Sequence, residues 1–105
     1  MNDRTLLELA AKAAGVELSH WNDGQEPYSS GLGFILPNNR MWNPLTDDGD
    51  RYRLAQRLGI SIDYEDCCAW TRKHGSLIQE FWGGDFPDEA HVIVGVAAAI
   101  GEQKP

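Results

Sequence analysis

The sequence predicts an α+β fold: a three-stranded antiparallel meander packed with N-terminal, middle and C-terminal helices. Three observations carry that prediction. Apolar residues recur at helical spacing near both ends and in the middle of the chain. After Gly59 the apolar period switches to two, and His74-Gly75 and Gly83-Gly84 then break the chain at strand-length intervals. At 105 residues the chain is expected to form one domain, 1–105, because two halves would each be too small to hold a core.

The first helix is expected over 4–14, capped by Asn2 or Asp3. Leu6, Leu9, Ala10 and Ala13 form its stripe and Gly15 is placed to end it. Residues 19–41 read as a long irregular connection containing Gly24, Pro27, Gly31, Gly33, Pro37 and Asn38-Asn39, with room for a short strand at 32–36. A second helix spans about 47–58. Thr46 or Asp47 caps it, Asp47, Asp48 and Asp50 lie at its positive end, and Arg57 lies near its negative end. Leu54, Ala55 and Leu58 supply its buried stripe, extended by Tyr52 or Arg51.

Ile60, Ile62 and Tyr64 then alternate with Ser61, Asp63 and Glu65 as a half-buried strand. Two more strands follow at about 67–73 and 76–82. Cys68, Trp70 and Arg72 share one face of the first, while both faces of the second are about equally apolar. Asp85 is placed to cap the last helix, with Pro87 in its first turn and Asp88 and Glu89 behind. Ala90, Ile93, Val94, Ala97 and Ile100 form its stripe. Val92–Val96 has strand propensity, but the acidic opening and Ala97-Ala98-Ala99 favour helix.

Nine basic residues against sixteen acidic ones give a formal net charge of −7. Nucleic acid and anionic membranes need a basic surface, so neither is the expected partner; a basic protein site is. Cys67 and Cys68 are adjacent, where a bridge would be strained, and they read as free thiols in a reducing cytoplasm. Residues 1–15 carry charges incompatible with a secretory signal, and no apolar run is long enough to span a bilayer. The expected location is the cytoplasm of a bacterial host cell, for the reason that follows.

Trp42-Asn43-Pro44 with Thr46-Asp47, a helix ending at Leu58, short aromatic-rich strands and an alanine-rich closing helix together resemble the phage alpha-beta-alpha sandwich domain. The opening Leu6–Gly15 is similar to the start of many hypothetical phage proteins, some loosely grouped with the NinX type. The resemblance covers most of the chain and is weakest over 19–40. It implies a phage or prophage origin and brings no catalytic residues with it. The chain departs from the pattern where its last helix opens with Asp88, Glu89 and His91 rather than a basic face.

Asp47-Asp48-Gly49-Asp50 invites a metal reading, but the spacing fails for a calcium loop, and capping accounts for the carboxylates. His20, His74 and His91 lack the spacing of a helical metal pair. A thiolate–imidazole pair of Cys67 or Cys68 with His74 has the right residue types without further support, and Gly31-Leu32-Gly33 lacks the rest of a nucleotide fingerprint. No catalytic residue, cofactor or metal is therefore expected. Trp42, beside a turn, and Trp82, beside Gly83-Gly84, are expected to be accessible amid Asp47, Asp48 and Asp50 as a protein-binding surface.

The expected function is that of a non-enzymatic phage accessory protein binding a host or phage macromolecule, as an acidic inhibitor of host defence or nucleic-acid-handling machinery. The alternative is a small-molecule binder or small enzyme with a pocket under the 19–41 loop, lined by Trp21, Tyr28, Trp42 and Asp47. A third expectation is a homodimer joined through an edge strand or the Val92–Val96 face.

Overall fold

A computed structural model describes residues 2–23, 32–83 and 86–104. In chain order it contains α1 (Asp3–Ala14), β1 (His20–Asp23), β2 (Leu32–Ile35), β3 (Met41–Trp42), α2 (Asp48–Leu58), β4 (Ser61–Asp63), β5 (Cys68–Thr71), β6 (Ile78–Phe81) and α3 (Glu89–Gln103). The fold is α+β, with two antiparallel three-stranded meanders, β1-β2-β3 and β4-β5-β6. The second meander was expected. The first lies largely within the stretch read as irregular: β2 falls on the short strand allowed for at 32–36, whereas β1 is too polar and β3 too short to show a two-residue period. Gly24, Pro27, Tyr28 and Gly31 lie outside the described residues, as do Gly84 and Asp85.

The centre of the molecule is α3. It is buried on nearly every side, from Ala90 through Ile93, Val94, Val96 and Ala97 to Gly101, as expected of a helix that is apolar all round. Helix α1 lies alongside it in the same direction: Asp3 meets His91 at the start of both helices, and the Lys104 ammonium donates to the Ala13 carbonyl at their ends. The approach is close because Gly101 has no side chain; a Cβ there would overlap the Leu9 carbonyl oxygen. Leu7, outside the predicted stripe, is among the most deeply buried residues of α1. The Val92–Val96 face expected to join a dimer is buried inside the chain itself.

Helix caps follow local chemistry. The Asn2 side chain accepts from the Thr5 amide and Gly15 closes α1 in the left-handed conformation. Asp88, not Asp85, caps α3, accepting the His91 amide and ring Nδ1 at 2.9 and 2.8 Å. Burial pushes the Asp88 carboxyl up, but those bonds outweigh it and hold it below the usual carboxylate range.

The second sheet packs on α3 through one face. Ala69 pairs with Ile62 and Glu80, and Thr71 pairs with Ile78, which puts Ala69, Thr71 and Ile78 on the buried side. This resolves the two similar faces of β6: Ile78 points inward, while Leu77 and Phe81 remain exposed. Cys67 adopts a left-handed backbone in the turn before β5 rather than joining the strand.

Candidate functional site

The segment Met41–Asp50 is a hydrogen-bonded joint between β3 and α2. Asn43 is its centre: its side-chain amide donates to the Leu32 carbonyl at 2.7 Å, its side-chain oxygen accepts the Leu45 amide, and its carbonyl accepts the Asp47 amide. Its own amide donates to Asp50 Oδ2 at 3.0 Å. Pro44 is fully buried. Asp47 caps α2 by accepting the Asp50 amide at 2.7 Å.

Asp50 differs from its neighbours. It is only 3% exposed, and its Oδ1 accepts from Arg40 at 2.7 Å and Arg53 at 2.8 Å. Two guanidinium groups, each about half-exposed, thus share one buried carboxylate oxygen. Helix-dipole compensation alone does not describe this residue: it ties the β2–β3 turn to the second turn of α2.

Two clefts flank α2. One, of about 500 Å³, has an apolar floor from Val16, Leu36, Trp42 and Leu54, with Arg40, Arg53 and Arg57 at its edge. Trp42, expected to be accessible, is 6% exposed and contributes to the core as well as to this floor. The other, of about 450 Å³, lies between α2, β4 and the start of α3 over Ala55, Ile60, Ile62 and Ile93. Its walls are Tyr52 and Tyr64, 67% and 65% exposed, and Glu89 and the ion pair of Asp48 with Arg51 also line it. The nearby Glu89 carboxylate favours the protonated hydroxyl of Tyr64 and raises the tyrosine above its ordinary value.

The five residues expected to form one interaction surface divide between these clefts. Trp42 and Asp50 belong to the arginine cleft, both buried. Asp48 lines the tyrosine cleft, and Trp82, half-buried, meets Tyr64 edge-on with ring centroids 6.3 Å apart. Asp47 borders a smaller cleft of about 260 Å³ beside Arg40 and Thr46. Trp21, expected in a pocket, packs edge-on against Phe34 at 4.9 Å with Arg4 over its ring.

From the sequence, Tyr52 extends the buried stripe of α2 and Tyr64 lies on the apolar face of a half-buried strand, whereas both are about two-thirds exposed. Arg57 was given only a place at the helix end, and Arg40 and Arg53 were passed over. Tyr52 was legible: it precedes Leu54 by two residues, about 200° around a helix, and so points away from the buried stripe. Arg53 and Arg57 share a helical face at i,i+4. Nothing local brings Arg40 to them.

His74 Nε2 sits 2.9 Å from the Leu58 carbonyl, and Cys68 Sγ accepts from Gln79, so neither engages the other. Among the described residues, no three His, Cys, Asp or Glu side chains converge as a metal set. No helix among them is long and apolar enough to cross a membrane. Set against protein-family models, curated proteins and solved structures, the chain matches none.

Proposed function

We propose that this is a non-enzymatic phage or prophage accessory protein that acts by binding a basic protein segment in its tyrosine cleft. The observation that carries the reading is the pair Tyr52 on α2 and Tyr64 after β4, about two-thirds exposed above an apolar floor. Glu89 also lines the cleft, and Asp48 there is already paired with Arg51. Exposed phenol rings lose little entropy on docking and bury much area. An arginine or lysine entering the cleft stacks on a ring while its charge meets a carboxylate. The net charge of −7 favours the same class of partner.

A groove that takes up arginines competes with the phosphates those arginines hold. Inhibition of host defence or nucleic-acid-handling machinery is therefore the role that suits it. The phage origin rests on the resemblance through Trp42-Asn43-Pro44, Thr46-Asp47 and the alanine-rich last helix.

The test is capture from bacterial lysate with the wild type and a Tyr52→Ala, Tyr64→Ala variant side by side. The expected result is a stoichiometric basic partner, released by salt and bound at least about tenfold more weakly by the variant. A partner held equally by both proteins, or no stoichiometric partner, would overturn the reading. Trp42→Ala is unsuitable as a control because the ring is buried in the core.

A further inference from the structure

We infer that the arginine cleft is a binding site for a small amphipathic carboxylate. The hydrocarbon body would lie over Val16, Leu36 and Leu54, and the carboxylate would meet Arg53 and Arg57. This site is on the opposite flank of α2 from the tyrosines, and the inference stands independently of the docking reading.

The argument begins with charge. The chain is acidic overall, yet the lining of this cleft carries three guanidinium groups and one carboxylate, Asp50. Arg40 and Arg53 both donate to the same Asp50 oxygen, so two cations share a single buried charge. The further acid near Arg53 is Asp47, at 3.9 Å and assigned to the smaller neighbouring cleft. Arg57 has no ion pair among the described residues. Each guanidinium has five N–H donors in a fixed fork, and the recorded bonds use only a few of them. The unspent donors match a carboxylate, which accepts two at once.

Shape selects the rest of the ligand. The floor is hydrocarbon, from Val16 after α1, Leu36 before the β2–β3 turn and Leu54 of α2. A bare inorganic anion would leave that floor uncovered. At about 500 Å³ the cleft falls in the range of small-molecule sites, roughly 300–1,000 Å³. The excess of cation over anion is small and Asp50 stays within the site, so a monoanion fits better than a highly charged phosphate ester.

The site is also pre-formed. Asp50 fixes the Arg40 and Arg53 head groups before any ligand arrives, which reduces the side-chain ordering that binding would otherwise cost.

The test is an amide and indole NMR titration of the full chain with decanoate. Decan-1-ol and decyltrimethylammonium serve as neutral and cationic probes of equal chain length, and acetate serves as the tailless anion. Decanoate is expected to bind saturably at one site, shifting Val16, Leu36, Leu54 and the Trp42 indole. The alcohol and acetate should bind at least about tenfold more weakly, and the ammonium not at all. Arg57→Glu should weaken decanoate by about tenfold or more, with Arg57→Lys in between. Arg57 makes no ion pair among the described residues that the substitution would break.

Equal binding of decanoate and decan-1-ol would overturn the inference, as would undiminished binding by Arg57→Glu. So would shifts centred on Tyr52 and Tyr64, or no saturation up to about 1 mM, a level at which binding would be worth only about 4 kcal/mol. The Tyr52→Ala, Tyr64→Ala variant should bind decanoate normally. Loss of partner capture and loss of decanoate binding are therefore separate failures.

Discussion

Helix α2 separates two clefts of nearly equal volume that are built in opposite ways. On one flank, arginines are held by a buried aspartate whose second oxygen is tied to the Asn43 amide. On the other, two tyrosines stand exposed, with Arg51 paired to Asp48 and the Glu89 carboxylate near Tyr64. The first cleft is part of the structure that holds the helix in place. The second is a surface laid over a finished core. Asp50, Arg40 and Arg53 on the first flank therefore cannot change without strain on the fold, whereas Tyr52 and Tyr64 on the second are free to meet a partner.

The largest expected effect removes the support both flanks share. In Gly101→Ala the new methyl overlaps the Leu9 carbonyl oxygen, and backbone cannot move aside as a flexible side chain would. Helix propensity favours alanine by about 1 kcal/mol. The steric cost should exceed that gain, for a net loss of about 2–3 kcal/mol in urea unfolding. An unchanged midpoint would mean that α1 and α3 do not meet at Gly101.

Asp50→Asn divides the flanks. It removes the buried charge that Arg40 and Arg53 share while keeping the side chain's shape. A buried pair broken on one side typically costs about 3–5 kcal/mol, and because both arginines are half-exposed a smaller loss of about 2 kcal/mol is expected. NMR shifts should concentrate on Arg40, Asn43 and Arg53 and leave Tyr52 and Tyr64 in place. By contrast, Tyr52→Ala should change stability by no more than about 0.5 kcal/mol, as surface substitutions usually do. Equal losses from the two substitutions would erase the distinction between the flanks.

The same contrast explains what the sequence revealed. The helices were legible because their signals are local: Asn2 and Gly15 bracket α1, Asp47 and Gly59 bracket α2, and Leu54 and Leu58 give its inward face. The second meander was legible from the switch of period after Gly59. Of the first only β2 was anticipated, since β3 has two residues and the register of Phe34 with Trp21 and Trp42 depends on pairing across the chain. Trp42 was misjudged for a related reason: a ring beside an Asn-Pro turn reads as exposed until the sheet beneath it is known. Asp50 was placed correctly at the start of α2, but its two arginine partners come from the β2–β3 turn and from the next turn of the helix. Composition disclosed the acidic excess and could not show that three of the nine basic residues gather at one cleft.

The smallest expected effect concerns Tyr64 and Glu89 on the tyrosine flank. The nearby Glu89 carboxylate favours the protonated Tyr64 hydroxyl and raises its pKa above the ordinary 10.0, with Arg51 pulling the other way. The folded protein thus holds this proton to higher pH than the unfolded chain does. The contribution is fully present below the usual tyrosine range and is lost as pH rises through the folded value. Glu89→Gln keeps an acceptor but removes the charge, so Tyr64 should ionise at lower pH, nearer the ordinary value. The measurement is the Tyr64 phenolate signal through an alkaline titration, assigned by its absence in Tyr64→Phe. An unmoved titration would mean that Glu89 does not act on Tyr64. A downward move, with Val16 and Leu36 undisturbed, would place the pair on the tyrosine flank alone and leave the arginine flank to its own aspartate.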